Sequence, residues 1–423
     1  MKILVVSDLY PPFHVGGYEL NCRDSVEALI SRGHEITVLT SSWGLNRGLI
    51  QENVYRLLDF DPSFLQDQSR NRLQKFDYFM DRLIQLQRLL ISPKNYRITR
   101  RVILTTQPDV VYIWHLGHLT VSPALAVQDS GLPACFRIED YSLARVKQLA
   151  GKKGSFLKKL YRSFVFGGRD IEKLRLNHFL FISQYVKQYY VQSGYPAAGM
   201  AVVPSGVPVC SMLNPLNRAD PFVPRDGAIR LVFTGRVEPE KGPDIAIRAM
   251  AILKTELSYP SVHLDIIGDG NLDFLGYLNQ LTNDLSVNDR VSFLGRLSQS
   301  EVLSRFRYYD ALLFTSRWEE PFGRVLIEAM AQGLPVIAAR NGGVPEIIND
   351  SENGLLIPSE SPPDLANAIK TLLRDPGSAT HLSHNAFITI RSRFTLEQII
   401  DQMEDYLFSV VKTRKDEAYS GSN

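Results

Sequence analysis

Residues 311–339, ALLFTSRWEEPFGRVLIEAMAQGLPVIAA, decide the fold of this chain. They hold a short apolar run, a polar loop with a proline and a glycine, an apolar run at helical spacing, and a second short apolar run after Gly333. This order predicts a strand, a helix and a second strand parallel to the first, because parallel neighbours need a long crossover connection. The stretch therefore indicates an α/β domain built on a parallel sheet.

The same alternation extends through the chain and gives two sets of strands. The first set is KILVVS, EITVLT, DVVYIW, ACFRI, HFLFIS and AVVP, and the second is IRLVFTG, VHLDIIG, RVSFLG, ALLFTS, PVIAA and GLLIP. Residues 211–227 separate the sets, with three prolines and no periodicity, which is typical of a linker. We expect two doubly wound, Rossmann-like domains at residues 1–212 and 225–393, a helical insertion at about 44–106, and a last helix at 395–412.

Composition excludes several classes of protein. The chain has 423 residues, of which 44% are hydrophobic and 22% charged, so it can form two ordinary cores. Its cysteines, Cys22, Cys135 and Cys210, are far apart and show no CxxC spacing, which excludes a disulfide framework and a zinc site. Asp8 interrupts the first apolar run too early for a signal peptide, so we expect a cytoplasmic protein. The net charge of +2 gives no indication of nucleic-acid binding.

One segment carries a large local charge. Residues 145–176 contain ten lysines and arginines against two carboxylates, a net charge of +8, with apolar residues at helical spacing between them. One interpretation is a solvated amphipathic helix that packs on its own domain. The other is a basic surface for an anionic membrane or a lipid-linked acceptor, which would place the protein at the inner face of the membrane.

Ligands of doubly wound sheets bind at the carboxyl ends of the strands, so the loops that follow strands are the candidate sites. Gly16 and Gly17 let the backbone approach a ligand at the start of a helix, although such pairs are more often turns. In the loop after Gly235, Arg236 and Lys241 favour a diphosphate, against the alternative of ordinary surface cations.

Two further strand exits contain candidate donor contacts. The glycines of IIGDG, including Gly268, are interpreted first as architecture and second as a ligand contact. The backbone of FLGRL, with Arg296, can contact the edge of a base.

At the helix entrance in EEPFGRVLIEAM, Glu320 and Glu328 are separated by seven residues. A diphosphate would repel both carboxylates, so neutral hydroxyls that donate hydrogen bonds are better partners. We assign Glu328 to a ribose and Glu320 to a transferred hexose. The phosphates between them would be bound by Arg236, Lys241 and the backbone amides of Phe322, Gly323 and Arg324.

These motifs resemble a known family. GRVEPEKG, IIGDG, EPFGRVLIEAMAQGLPV and NGGVPEII, with GGYE and RGHEITVLT in the first half, are similar to family-4 retaining glycosyltransferases of the GT-B fold. The resemblance implies two Rossmann-like domains facing a cleft, with a UDP- or GDP-sugar held by the second domain and the acceptor by the first. It also implies a final helix that returns to the first domain, and neither a cofactor nor a required metal.

The resemblance is weaker at the first-domain site. Relatives often carry an HxH motif near the transferred sugar, whereas here Trp114 occupies the aligned position and His115 and His118 are displaced. FRIEDY has Glu139 and Asp140 where relatives often show a His-Asp pair. Both histidines are candidate catalytic residues, against the alternative of packing or surface roles, and Glu139 and Asp140 are acceptor-side candidates.

The sequence thus predicts a retaining hexosyltransferase in which Arg236 and Lys241 stabilise the departing diphosphate. Its acceptor would be a carbohydrate, a lipid-linked sugar or a small molecule, in cell-surface polysaccharide, glycolipid or other glycoconjugate synthesis. Two alternatives are another GT-B enzyme, such as a nucleotide-sugar epimerase or a phosphorylase, and a non-catalytic nucleotide-sugar binder.

Overall fold

The computed structural model describes residues 1–45, 51–60, 92–116, 119–144, 176–215, 218–257 and 261–420. They belong to two compact units, one formed by Met1–Val203 with Ile400–Asn423 and the other by Pro204–Ile399. The basic segment at 145–176 lies outside the described residues except for Leu176. None of the helices in the described ranges is long and apolar enough to cross a membrane.

The first unit contains a parallel sheet of seven strands, in the order β3-β2-β1-β4-β5-β6-β7. The strands are β1 (Lys2–Val6), β2 (Glu35–Ser41), β3 (Val54–Leu58), β4 (Val110–Ile113), β5 (Ala134–Ile138), β6 (Phe179–Phe181) and β7 (Met200–Val202). The helices of this unit include α1 (Gly17–Ser31), α2 (Pro93–Thr106), α3 (Ser122–Ser130) and α4 (Gln184–Gln192). β1 pairs with both β2 and β4, so the strand order reverses between β1 and β4.

The second unit repeats this plan with six parallel strands, in the order β10-β9-β8-β11-β12-β13. The strands are β8 (Ala228–Thr234), β9 (Ser261–Ile267), β10 (Val291–Gly295), β11 (Ala311–Phe314), β12 (Val336–Ala339) and β13 (Leu355–Ile357). The helices are α5 (Pro243–Glu256), α6 (Leu272–Asp284), α7 (Gln299–Arg305), α8 (Arg324–Ala331), α9 (Pro362–Arg374) and α10 (Pro376–Arg393). Its order reverses between β8 and β11. The predicted fold class, two doubly wound parallel sheets with interleaved helices, is confirmed.

The core of the second unit explains why its strands appear as continuous apolar runs. Leu231 on β8, Leu264 on β9 and Leu313 on β11 are completely or almost completely buried, and α5 covers them with Ile245 and Met250. Parallel strands with helices on both faces have no exposed side, so the hydrophobic pattern does not alternate. Truncating one of these side chains to alanine would cost about 2–5 kcal/mol.

The predicted helical insertion at 44–106 is wrong in one respect, because it contains a strand. β3 pairs in parallel with β2 at the edge of the first sheet, and α2 follows later in the chain. Arg56 in the middle of β3 is buried and donates to the backbone carbonyls of Tyr10 and Pro11 at 3.0 and 2.7 Å. Its neighbours Tyr55 and Leu57 are exposed, so β3 places a charged side chain inside and two large side chains outside, although Leu58 is buried as usual. Residues 61–91, which include the helical pattern of FMDRLIQLQRLL, lie outside the described residues.

The stretch predicted as a linker packs against the second unit. Phe222 is completely buried in its core, and the backbone N–H of Phe222 donates to Asp310 at 3.1 Å. Arg218 donates to the backbone carbonyl of Gln332 at 3.3 Å. Because these contacts fix the stretch, the second unit begins at Pro204 rather than at the predicted residue 225.

The last helix, α11 (Leu396–Ser420), is longer than predicted, and its residues from Ile400 onward belong to the first unit. Met403, Leu407 and Val410 are buried along one face of this helix. Glu404 accepts hydrogen bonds from His34 at 2.6 Å and from Arg32 at 2.9 Å. These donors lower the pKa of Glu404.

Candidate active site

The loops that follow β8 and β11 are joined where the strand order of the second sheet reverses. The backbone N–H of Arg317 donates to the carbonyl of Glu240 at 2.8 Å, and its guanidinium makes a bidentate ion pair with Asp244 at 2.8 and 2.7 Å. Gly242 has a φ of +67°, and a Cβ at this position would collide with the carbonyl oxygen of Thr315. Only glycine permits so close an approach, so the two loops hold their side chains in fixed positions.

Lys241 and Glu320 meet at this junction. Nζ of Lys241 donates to Oε1 of Glu320 at 2.5 Å, and the hydroxyl of Ser316 donates to the same oxygen at 2.7 Å. Only 8% of the Glu320 side chain is exposed. Among the described residues none donates a hydrogen bond to Oε2 of Glu320, which is not sealed from solvent. This oxygen can therefore accept a hydrogen bond from a ligand.

The loop after β12 supports the backbone of Glu320. The N–H of Gly343 donates to the carbonyl of Glu320 at 2.7 Å, and Asn341 donates to the carbonyl of Ser316 at 2.7 Å. Gly342 has a φ of +56°, and a Cβ there would lie 2.6 Å from the backbone nitrogen of Glu320 and would collide with its carbonyl oxygen. The NGG sequence at residues 341–343 thus holds the backbone of Glu320 in place.

Glu328 is held in a similar way on α8. Oε1 of Glu328 accepts from Nε of Arg324 at 2.9 Å and from the side-chain amide of Gln299 at 2.7 Å. Arg324 lies one turn earlier on the same helix, whereas Gln299 is the first residue of α7. Only 12% of the Glu328 side chain is exposed, and within the described part of the chain no donor binds its Oε2.

The predicted phosphate-binding amides lie at the start of α8. Gly323 precedes this eight-residue helix with a φ of +101°, which residues with a Cβ rarely adopt. The side chain of Phe322 is buried and packs edge-on against Phe394, with ring centroids 5.8 Å apart. Only the backbone of Phe322 therefore remains for a ligand.

Four other predicted donor contacts lie on the exits of β8, β9 and β10. A Cβ on Gly268 would collide with the carbonyl oxygen of Gly235, so this glycine is required by packing. Arg236 forms an ion pair with Glu240 at 2.9 Å, and no contact joins Arg236 to Lys241 among the described residues. Arg296 lies 3.8 Å from Asp269, and both side chains are more than half exposed. The structure thus joins Lys241 to Glu320 and Arg324 to Glu328, but not Arg236 to either glutamate.

In the first unit, three ionisable side chains meet at the ends of β1, β4 and β5. Nδ1 of His115 lies 2.6 Å from Oδ2 of Asp8, and Nε2 of His115 lies 3.0 Å from Oδ2 of Asp140. The other oxygen of Asp140 accepts from the backbone and the hydroxyl of Ser142 at 3.0 and 2.7 Å. The exposed fraction rises from 2% for Asp8 to 19% for His115 and 37% for Asp140. Asp140 is therefore the outermost of the three.

The contacts of this cluster shift its ionisation. Burial alone would lower the pKa of His115, but Asp8 and Asp140 together raise that pKa well above its usual value. Desolvation alone would raise the pKa of Asp140, but the hydrogen bond and the charge of His115 lower that pKa below its usual value. Desolvation, followed by the charge of Asp8, raises the pKa of Glu19 on α1. The cluster is a fixed set of opposite charges rather than a lone histidine.

The predicted glycines stand at the start of α1, next to this cluster. Gly17 begins the helix, and the N–H of Gly16 donates to Glu19 at 3.1 Å. A side chain at position 16 would meet no atom within 4 Å, so packing does not explain this glycine. The Tyr18 hydroxyl donates to the backbone carbonyl of Trp114, and the Tyr18 ring lies 4.9 Å from the His115 ring.

Of the other first-unit predictions, Glu139 has a different environment and His118 lies outside the described residues. Oε1 of Glu139 accepts from Arg137 at 2.7 Å and from Asn21 at 2.6 Å, and Arg137 is almost completely buried. This geometry favours an internal structural role for Glu139, because a buried ion pair needs both partners. Asp140 beside it faces outward.

Sequence reasoning missed three residues that touch the predicted site. In the sequence pattern Asp8 only interrupts the first apolar run, whereas in the structure it contacts His115. Ser316 and Gln299, which bind the two glutamates, were not singled out at all. The position of Asp8 directly after a buried strand was the only available signal, since strand ends are where ligands bind.

Comparison with known proteins agrees with this architecture in both halves of the chain. Residues 15–209 match the family model described as Glycosyltransferase Family 4, and residues 219–388 match the model described as Glycosyl transferases group 1. A D-inositol 3-phosphate glycosyltransferase from Stackebrandtia nassauensis is 35% identical over 184 residues, which are 42% of this chain and 41% of the relative. The chain thus spans about two fifths of the length of this curated relative.

Other matches extend over nearly the whole chain. An uncharacterized glycosyltransferase from Methanocaldococcus jannaschii is 24% identical over 411 residues, which cover 94% of this chain and 96% of the relative. The crystal structure of HepE from Anabaena with UDP and glucose aligns with a TM-score of 0.67 at 22% identity, covering 97% of this chain and 100% of that one. The structural match shows a shared GT-B fold. With both halves matched by glycosyltransferase models, the chain belongs to family 4 of the glycosyltransferases.

Proposed function

We propose that this protein transfers a hexose from a nucleoside diphosphate sugar to an acceptor hydroxyl, with retention of the anomeric configuration. The observation that carries the proposal is the contact of Lys241 with Glu320 at 2.5 Å, where the strand order of the second sheet reverses. Doubly wound sheets bind their ligands at this point. An ammonium group suits a diphosphate, and a carboxylate with one open oxygen suits a sugar hydroxyl.

The roles of the two glutamates follow from their positions relative to α8. Glu320 precedes α8 beside Lys241, so it accepts a hydrogen bond from the transferred hexose. Glu328 lies within α8 beside Gln299 of α7, so it accepts from the ribose. The diphosphate between the two sugars is bound by the first amides of α8, which point toward negative charge.

Transfer breaks the bond between the anomeric carbon and the diphosphate oxygen and forms a bond from that carbon to the acceptor oxygen. The electron pair of the broken bond stays on the departing phosphate. The acceptor proton passes to a phosphate oxygen on the same face of the sugar. Lys241 still has two N–H groups besides the one that binds Glu320, and these stabilise the departing charge. Arg236 assists once its exposed pair with Glu240 opens, because such surface pairs are weak.

Several finer assignments rest on the sequence and on the relatives. A UDP-sugar or GDP-sugar is the proposed donor, and HepE was solved with UDP and glucose. The acceptor is a carbohydrate, a lipid-linked sugar or a small molecule in glycoconjugate synthesis, and Asp140 and His115 of the first unit are its candidate contacts. We propose no metal requirement, because Lys241 and Arg236 supply positive charge. The basic segment at 145–176 is proposed to contact an anionic membrane surface.

Donor hydrolysis in the absence of acceptor tests the proposal. A panel of nucleotide sugars with UDP or GDP as the leaving group is first screened by thermal shift, since a ligand of the folded state raises the melting temperature. With the donor that binds, Lys241→Met should lower turnover by about 10²-fold or more, because charge on the departing group is lost. Lys254→Met is the matched control, since Lys254 donates on the surface to Asp289 and to the backbone carbonyl of Ser286.

The results separate the competing functions. Retention is checked by the anomeric configuration of the first-formed product, and metal independence by turnover in a chelator. Binding of donor with no hydrolysis or transfer would indicate a non-catalytic binder, and interconversion of the sugar without transfer would indicate an epimerase. Equal turnover of the Lys241→Met variant and the wild type would overturn the assignment of Lys241.

A further inference from the structure

Glu320, which precedes α8, and Glu328, which lies within it, share a pattern of contacts that the proposed function does not use. Each is held through one oxygen only, by one cation and one neutral donor. For Glu320 these are Lys241 and Ser316, and for Glu328 they are Arg324 and Gln299. In both carboxylates the second oxygen remains open toward solvent and has no donor within the described ranges.

Ser316 is fixed on every side. It is 1% exposed, its backbone carbonyl accepts from Asn341 at 2.7 Å, and its Oγ accepts from the backbone N–H of Trp318 at 3.3 Å. Its single hydroxyl proton can reach Glu320 at 2.7 Å or the carbonyl of Glu240 at 3.2 Å. The shorter bond to the charged acceptor is the stronger one. Ser316 therefore sets the rotation of the Glu320 carboxylate.

Gln299 is fixed by the start of α7. Ser298 caps this helix, because its hydroxyl accepts from the backbone N–H of Glu301 at 3.3 Å and its own backbone N–H donates to the carboxylate of Glu301 at 2.8 Å. This reciprocal box defines the direction in which the next residue leaves the backbone. The amide of Gln299 then reaches Glu328 at 2.7 Å from a different element than α8.

Neutral donors suit this task. A second cation on either carboxylate would compensate its charge and weaken its attraction for a hydroxyl proton, whereas an amide or a hydroxyl fixes the geometry without adding charge. Glu320 and Glu328 are thus each held by one cation and one neutral donor, but at different places in the site. One stands beside Lys241 and the other a turn or more into α8, so the loss of one should not reproduce the loss of the other.

We infer that Ser316 and Gln299 are positioning residues that turn the open oxygens of Glu320 and Glu328 toward the donor. Ser316 acts on the hydroxyl of the transferred hexose, and Gln299 acts on the ribose hydroxyls. The inference rests on the proposed function, because it takes Glu328 as the ribose acceptor. Beyond the proposed function, we infer that the preference for ribose over deoxyribose depends on Gln299, which acts through Glu328.

The experiment measures discrimination rather than affinity alone. Dissociation constants for UDP and 2′-deoxy-UDP, and for GDP and 2′-deoxy-GDP, are determined by calorimetry with the full chain. A site built around a hydroxyl loses much of its affinity when that hydroxyl is missing. Gln299→Leu should lower the preference for the ribonucleotide about fivefold or more and leave the affinity for the deoxynucleotide nearly unchanged. Gln280→Leu, on the exposed face of α6, is the matched control.

Substitution of Ser316 should change turnover rather than the preference for the ribonucleotide. Ser316→Ala should preserve the ratio of ribonucleotide to deoxynucleotide affinity and lower turnover at saturating donor about fivefold or more. Ser316→Thr retains a hydroxyl and should restore part of the turnover. Ser316→Cys replaces Ser316→Ala if the latter does not fold. Ser304→Ala is the control on an exposed serine that donates only to a backbone carbonyl.

The Glu328→Gln variant distinguishes an error in the proposed donor site from an error in the positioning role of Gln299. If Glu328→Gln leaves ribose discrimination intact, or if neither UDP nor GDP binds the wild type, the proposed donor site is wrong and the inference falls with it. If Glu328→Gln abolishes discrimination while Gln299→Leu preserves it, the donor site stands and the positioning role of Gln299 is overturned. Loss of ribose discrimination in Ser316→Ala would overturn the division of roles.

Discussion

His115 carries its charge because of the residues on either side of it. Both of its ring nitrogens face carboxylates, Asp8 at 2.6 Å and Asp140 at 3.0 Å. An ionised carboxylate only accepts hydrogen bonds, whereas a neutral imidazole has a single N–H. Both contacts can be made only by the protonated ring. While they persist, His115 has no free ring nitrogen that can accept a proton, so it cannot serve as a general base.

This arrangement predicts a pH dependence of stability. The folded-state pKa of His115 is raised, so its contribution is complete below its ordinary pKa of about 6.5 and is lost as pH rises through the raised value. The gap in urea midpoint between wild type and His115→Gln should be widest at pH 6 and should narrow toward pH 9. His384→Gln, on the exposed side of α10, should show no such trend. A gap that widens with pH would contradict the protonated ring.

The sequence could identify some members of the site but not their partners. Lys241, Glu320 and Glu328 belong to short motifs, so local spacing was sufficient to select them. Asp8 and His115 are 107 residues apart, and Gln299 and Glu328 are 29 apart, so no local pattern joins them. Such pairs depend on the strand order, which the sequence pattern leaves open.

At the scale of elements, α8 is a short helix between β11 and β12, and the loops that join it to these strands set its position. It has eight residues, which is too few for independent stability in water. Glu320 precedes the helix and is backed by Gly342, which packs directly on the backbone of Glu320. The activity of the carboxylate should therefore depend on a glycine that is far from it in sequence.

Gly342→Ala tests this dependence. A Cβ at this position meets backbone rather than a flexible side chain, and the φ of +56° is unfavourable, so the loop must move at a cost of about 1–3 kcal/mol. We expect turnover to fall about tenfold or more while the second unit remains folded, as measured by donor hydrolysis and circular dichroism. Gly276→Ala on α6 is the control, because a Cβ there meets no atom within 4 Å. Unchanged turnover in Gly342→Ala would show that Glu320 does not need this support.

β3 shows where hydrophobic periodicity fails for an element. Strands such as β4, β11 and β12 are completely buried apolar runs, which the sequence pattern identifies directly. β3 buries Arg56 and exposes Tyr55 and Leu57, because the guanidinium is satisfied by the carbonyls of Tyr10 and Pro11. Hydrogen bonding to a distant loop lets a charged side chain share the inner face of this strand with the buried Leu58, and composition alone does not encode such a bond.

At the scale of the whole molecule, each sheet carries a cation and a carboxylate in contact where its strand order reverses. In the first unit the pair is His115 with Asp8, and in the second it is Lys241 with Glu320. In both units one partner follows the first strand of the sheet and the other follows the strand that starts the second half. Doubly wound topology brings these two strand ends together, so the same fold provides each unit with a place for a charged pair.

The distribution of charge over the chain gives a further prediction. Residues 145–176 carry a net charge of +8, whereas the whole chain carries +2. Replacing Lys152, Lys153, Lys158 and Lys159 by serine should weaken sedimentation with anionic vesicles at low salt, since each nearby cation contributes about 1 kcal/mol. Donor hydrolysis should be unaffected. If the wild type does not sediment with anionic vesicles even at low salt, the segment is a solvated face.

The last helix has a consequence for synthesis on the ribosome. The first unit is built from residues up to Val203 and then from residues after Ile400, so its buried face at Met403, Leu407 and Val410 is supplied last. During translation, the first sheet is complete once β7 has been synthesised. The ribosome must then synthesise the entire second unit before these three side chains can be buried in the first unit. The nascent first unit therefore lacks part of its core while nearly half of the chain, residues 204–399, is being synthesised.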